Sequence, residues 1–203
     1  MMEFSQRHAL AGLMAMAVLT TAGCSEKGDS PSEAQQDMQF DGAIEKTVIG
    51  EVNAMIDGES YRGATLDVPS EGTSTAEFQK FGPLTRISLQ AHDAKAESIM
   101  RNVFNIEFAL NGTGESAAAT DASILYHPEG MDKPFYTSES NAQAAQVSLD
   151  AVTLSDGRAS ISGRFSASLC RKTSYFSEAD TGDCIPVEGM FDTALRDGTP
   201  SGS

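Results

Sequence analysis

Beyond residue 43, apolar and polar residues alternate with a period of two rather than 3.6, the spacing of half-buried strands. Val52, Ala54 and Ile56 alternate with Glu51, Asn53 and Met55; Asp57-Gly58 then supplies a hairpin turn before a return strand over 61–66. Ile87, Leu89 and Ala91 alternate with Arg86, Ser88 and Gln90. Phe104, Ile106, Phe108 and Leu110 alternate with Asn105, Glu107 and Ala109, and Asn111-Gly112 ends the run. Weaker strands are predicted over 123–126 and 134–138. Val147, Leu149 and Ala151 open another that reaches Leu154. After a turn at Asp156-Gly157, Ala159, Ile161, Gly163, Phe165, Ala167 and Leu169 share one face, and a last strand covers 185–193. Two stretches carry helical signals. Ser74-Thr75-Ala76-Glu77 matches a capping box ahead of Phe78 and Phe81, and 93–101 fits a short helix or a long hairpin loop. Short strands separated by turn signals predict an all-β fold, an antiparallel β-sandwich or barrel of about 8–9 strands.

The first 23 residues follow another pattern. A short polar start with Arg7 leads into the apolar run 9–19, then Thr20-Thr21-Ala22-Gly23-Cys24 opens onto polar sequence. This is the layout of a helical signal peptide (1–23), and the run falls short of the roughly 20 apolar residues needed to span a bilayer. Thr21-Ala22-Gly23-Cys24 resembles the bacterial lipobox, with Thr21 standing where that family usually carries Leu. The resemblance implies that the Cys24 sulfur is acylated, that Cys24 begins the mature chain, and that the partner it meets is a lipid bilayer. The alternative is ordinary cleavage near Ala22. Ser25, rather than Asp, after the cysteine resembles the pattern of lipoproteins sent on to an outer membrane, which places the chain in a bacterial cell envelope.

Residues 24–42 are polar, acidic and aperiodic, so a flexible tether is expected, holding the domain roughly 20–25 Å from the bilayer. One domain then covers 43–196, long enough to bury its own core, and 197–203 is expected to be a disordered tail. The formal net charge is −15. A chain this acidic lacks the basic stripe that marks a nucleic-acid partner, and it would not adhere to anionic lipid by charge, leaving membrane attachment to the acyl anchor.

Three cysteines leave one over in a secreted chain. With Cys24 acylated, Cys170 and Cys184 remain for a disulfide in an oxidising compartment. If they face each other directly, Leu169 meets Ile185, Ala167 meets Val187, Phe165 meets Gly189, Gly163 meets Phe191 and Ile161 meets Thr193. Each Phe then covers a Gly of the neighbouring strand, while Ser166–Glu188, Arg164–Met190 and Ser162–Asp192 face solvent. Pro186 shares the parity of the cysteines, so the last strand is expected to be an edge there. The alternative is a disulfide that merely ties a loop.

Catalytic and metal motifs are few. Asp180-Thr181-Gly182 spells an aspartic-protease triplet but lies in a polar loop without a second copy. His92-Asp93 and His127 have no Gly-x-Ser-x-Gly elbow to work with and no ligand spacing for zinc. Glu178, Asp180 and Asp183 lack the arrangement of a twelve-residue calcium loop, and Gly112-Thr113-Gly114 lacks the Lys of a phosphate cradle. No cofactor and no enzymatic activity are expected.

The run Val52-Asn53-Ala54-Met55-Ile56-Asp57-Gly58, the strand at Ile87-Ser88-Leu89, and the paired frames Ile161-Ser162-Gly163-Arg164-Phe165 and Val187-Glu188-Gly189-Met190-Phe191 resemble a group of uncharacterised bacterial lipoprotein domains. The resemblance implies a small all-β unit and no particular chemistry. The functional expectation is a membrane-anchored, non-catalytic binding or scaffold module with an envelope protein partner. The alternatives are a carrier of an apolar small molecule in a barrel pocket, and an enzyme whose site carries no recognised motif.

Overall fold

Eleven strands carry the chain: β1 (Thr47–Ile56), β2 (Glu59–Val68), β3 (Thr73–Ser74), β4 (Ala76–Phe81), β5 (Leu84–His92), β6 (Val103–Asn111), β7 (Ala118–His127), β8 (Phe135–Thr137), β9 (Gln146–Ser155), β10 (Arg158–Lys172) and β11 (Asp180–Asp197). This computed structural model describes residues 44–112, 117–139, 143–155 and 157–199. The signal segment, Cys24 and the tether lie outside the described residues. Among those described, a 3₁₀ turn at Pro69–Glu71 is the sole helical piece. The fold is all-β.

Neighbouring strands pair round a ring, β1–β2–β5–β6–β7–β8–β10–β11 and back to β1. The ring closes between β2 and β5 through a single pair, Ala64 with His92. β3 flanks β2, β9 flanks β10, and β4 pairs with β5. Every pairing is antiparallel except one, where Arg196 and Asp197 of β11 run parallel to Glu77 and Phe78 of β4.

The interior rows match the alternation. Val52, Ala54, Ile56, Ile87, Leu89, Phe104, Ile106, Phe108, Ile161, Phe165, Leu169, Val187 and Phe191 belong to one buried cluster. The closing hairpin adopts the expected register from Ile161–Thr193 to Cys170–Cys184, and the two sulfurs are bonded. Cβ atoms built on Gly189 and Gly163 would stand 2.7 Å from the Phe165 ring tip and 2.9 Å from that of Phe191, so each ring occupies the space its glycine leaves. The β1 pairing stops at Val187, and Pro186 accepts a bond from the Asp57 N–H instead. β11 is therefore not the free edge at Pro186 that the missing N–H predicted: β10 flanks it on one side and the Asp57 turn bonds its carbonyl on the other. Asp57 and Gly58 both have positive φ, as a two-residue hairpin turn of the primed kind requires.

Three further expectations are corrected. Residues 74–81 are strand, not helix: Ala76 and Phe78 lie two apart on the buried face, opposite Leu89 and Ile87, while Phe81 is exposed. The capping-box contact does form, with the Ser74 N–H donating to the Glu77 carboxylate, but it caps a strand entry. Of the two readings of 93–101, the long hairpin loop holds: the stretch is turns and bends joining β5 to β6. The tail boundary also moves, because β11 runs to Asp197, the Gly198 N–H donates to the Phe78 carbonyl, and Thr199 Oγ1 accepts from the Lys80 N–H. In β9 a bulge between Ser162 and Gly163 of its partner shifts the phase, so Val152 and Leu154 take the core side and Ala151 is exposed.

Candidate functional site: a cleft across four strands

Side chains of opposite parity to the core rows form the outer face of β10, β11, β1 and β2. In register, Arg164 stands beside Met190, Met190 beside Asn53, and Asn53 beside Arg62. The next row outward along the same strands is Ser166, Glu188, Met55 and Ser60. These two rows floor a cleft of about 990 Å³ whose far wall is Asp93, Ala94 and Lys95. A second cleft of about 830 Å³ shares Met55, Ser166 and Glu188 and continues past Pro186 to Gln143 and Gln146. Together they form a trough running along β10 and β11.

The floor is unusual for an outward row. Met55 is 42% and Met190 55% exposed. Met190 lies diagonal to Met55 across β1 and β11, a spacing of roughly 7–8 Å that long side chains bridge. Two flexible thioethers therefore make an adaptable apolar strip. Its rim is charged but largely self-compensated: Arg62 pairs with Glu51 at 3.3 Å and Arg164 with Asp150 at 3.5 Å.

The far wall is held by a polar chain. Asp93 accepts from the Lys95 N–H at 2.8 Å and from the Asn102 side-chain amide at 2.6 Å. The Tyr126 hydroxyl donates to the Asn102 side-chain oxygen at 2.6 Å, and the Tyr61 hydroxyl lies 3.0 Å from the Ala91 carbonyl and 3.1 Å from that of Asn102. Asn102 has a φ of 55°, a conformation Asn tolerates better than most residues. Burial pushes the Tyr61 phenol well above its usual range, and the nearby Asp93 charge adds to this; burial likewise raises Tyr126. Both phenols therefore remain protonated donors at neutral pH. The chain fixes a wall; it contains no nucleophile paired with a base.

The residues singled out from sequence fall elsewhere. Cys170 and Cys184 tie the far end of the hairpin. Asp180 accepts from the Gly182 N–H at 2.9 Å at the exposed start of β11, and Asp183 lies 4.0 Å from Arg171. His92 and Asp93 do not interact as a pair: His92 Nδ1 meets the Ile99 carbonyl at 2.8 Å, while Asp93 serves Asn102. Among the described residues no group of three His, Cys, Asp or Glu side chains is placed to hold a metal ion. The cleft residues went unnoticed because they come from four strands. The signal available was Met at the solvent-side positions 55 and 190. No protein-family model, curated protein or solved structure matches this chain.

Proposed function

We infer that this chain is an envelope lipoprotein, anchored through Cys24, whose β-domain is a non-catalytic binding module with its ligand in the trough over β10, β11, β1 and β2. The observation that carries the reading is the open cleft floored by Met55 and Met190 and rimmed by internally paired charges. Exposed methionines on a regular sheet face leave apolar surface in water, which an amphipathic ligand or partner segment would cover. The lipobox resemblance at 21–24 supports the anchor.

The carrier alternative loses support from the packing inside the ring. Phe104 and Phe165 lie 5.3 Å apart between ring centres, Phe108 and Phe191 6.2 Å apart, and all four are buried. The phenylalanines that would line a pocket fill the interior themselves.

The test is recovery from envelope membranes of the source cell with the lipidated chain, compared with Cys24→Ala and with the double variant Met55→Glu, Met190→Glu. Both substituted positions in the double variant are exposed, so stability should change by no more than about 0.5 kcal/mol each. The reading expects a bound species that Lys80→Glu retains and the double variant loses. The same bound set in both variants would overturn the assignment of the trough. Mass spectrometry of the mature N-terminus tests the anchor separately, and a chain starting at another residue without acyl groups would refute it.

A further inference from the structure

At the end of the ring opposite the N-terminal entry of β1, part of the outer sheet surface is buried. His92 of β5 is opposed to Val103 of β6, and Val103 to His127 of β7, in one row across three strands. This row has the outward parity, because the inward neighbours are Ala91, Phe104 and Tyr126. Yet His92 is only 4% exposed, and Val103 and His127 are fully covered. The covering comes from loops. Ile99, in the loop between β5 and β6, packs beside Ala64 and Leu66 and accepts from His92. Tyr175, in the loop between β10 and β11, packs at a tilt on Phe135 with ring centres 4.7 Å apart, and Phe135 stacks on His127 at 5.0 Å.

The cover is a poor host for charge. Neither nitrogen of His127 has a hydrogen-bond partner, nor has Nε2 of His92. The charged groups nearby are committed or of the wrong sign. On the loop from β5, Asp93 serves Asn102 and Glu97 pairs with Arg101. Between β7 and β8, Asp132 pairs with Lys133. From β10, Lys172 stands opposite Phe135 and Arg171 lies near Asp183, while Lys46 places positive potential on His92. Glu129, between β7 and β8, and Glu178, between β10 and β11, hydrogen-bond to neither ring. The imidazoles stand about 10 Å apart across Val103 by strand spacing, so they cannot share a proton or a metal ion.

We propose that this layer is an acid-released cover: protonation of His127, seconded by His92, lifts the loops 93–102 and 173–179 from the outer face of β5–β8. An imidazolium at position 127 carries two N–H donors that need acceptors, and water entering beneath Tyr175 is the route that supplies them. Main-core packing lies on the other face of these strands, so the loops open while the ring persists. Opening bares Val103 and Phe135 beside Phe176, which is already 100% exposed at the loop tip. Burial pulls both imidazoles below their ordinary range, although at His92 the Ile99 carbonyl opposes this. The inference does not rest on the anchor or on a ligand in the trough, but lifting 93–102 also removes Asp93, Ala94 and Lys95 from the far wall of the trough.

Hydrogen exchange read by mass spectrometry on the folded chain, corrected for intrinsic rates, tests it between pH 7.5 and pH 5. In the wild type, residues 93–102 and 173–179 should lose roughly tenfold or more of their protection at the lower pH, while β6 and β11 keep theirs. His127→Phe, which keeps a ring on Phe135, should hold the loops closed at both pH values. Tyr175→Ala should raise the His127 titration midpoint, read from its C2 proton by NMR, toward the ordinary value. Equal loop protection at both pH values, identical opening in His127→Phe, or an unmoved midpoint in Tyr175→Ala would each overturn the proposal. If His127→Phe does not fold, the wild-type exchange and the Tyr175→Ala midpoint decide it.

Discussion

Substituting Gly189 with Ala tests whether the Phe-over-Gly contact sets the closing hairpin. The added Cβ would stand 2.7 Å from the Phe165 ring tip and 2.9 Å from the Ala54 Cα, and it would also collide with the Asn53 carbonyl. Ordinary carbon contact needs roughly 3.5–4.0 Å, so the ring must retreat by about 1 Å. It has little room to do so, because Phe165 is 4% exposed and packs on Phe104. The backbone of β1 must also give way. Overpacking of this kind costs about 1–3 kcal/mol, and the backbone clash places the value at the upper end, near 3 kcal/mol. For a domain of this size that lowers Tm by roughly 6–12 °C. Urea unfolding followed by circular dichroism measures it for wild type, Gly189→Ala, Phe165→Leu and the double variant. Phe165→Leu removes the ring tip, so Gly189→Ala should cost about 1 kcal/mol less in that background. A Gly189→Ala penalty below about 0.5 kcal/mol, or strict additivity in the cycle, would refute the argument that the ring occupies the space of the missing side chain.

Replacing Cys170 and Cys184 together by Ser should cost about 3 kcal/mol by loop-closure entropy, and peptide mapping without reductant should recover the two cysteines as one linked species from the wild type. Because burial lowers the folded pKa of His127 and His92, the unfolded chain binds more protons below the ordinary value of about 6.5. Stability is therefore intact above that pH and lost as pH falls through the folded values, and chemical denaturation at pH 7.5 and 5 should show a smaller loss in His127→Phe. Deleting most of 25–40 should leave Tm within about a degree or two, since a segment of this composition has no core to enter; a chain that unfolds without it would make the segment part of the fold.

Alternation along single strands was enough to place the inward rows of β1, β6, β10 and β11, because a residue's face on a strand follows from parity alone. The closing register was legible for the same reason. Two cysteines and two Gly-x-Phe frames had to coincide, and a slip of one residue would have turned every Phe outward. The Asp57-Gly58 turn was local too, since its positive φ values are a property of those two residues. Other features were settled by partners distant in sequence. Residues 74–81 carried both a capping box and an alternating pair, and the backbone edges of β5 and of the end of β11 decided for strand by pairing with β4 on its two sides. The bulge opposite Ser162 and Gly163 reset the phase of β9, so Val152 and Leu154 reached the core where strict alternation had placed Ala151. The ring closes at Ala64–His92, whose chemistry carries no pairing signal. The trough could not be read from the sequence because Met190, Asn53, Arg62 and Arg164 become neighbours only when four strands align. His92 and His127 have outward parity, and parity alone puts such residues in solvent; they are buried because loops fold back over them, a contact between segments that local pattern does not encode.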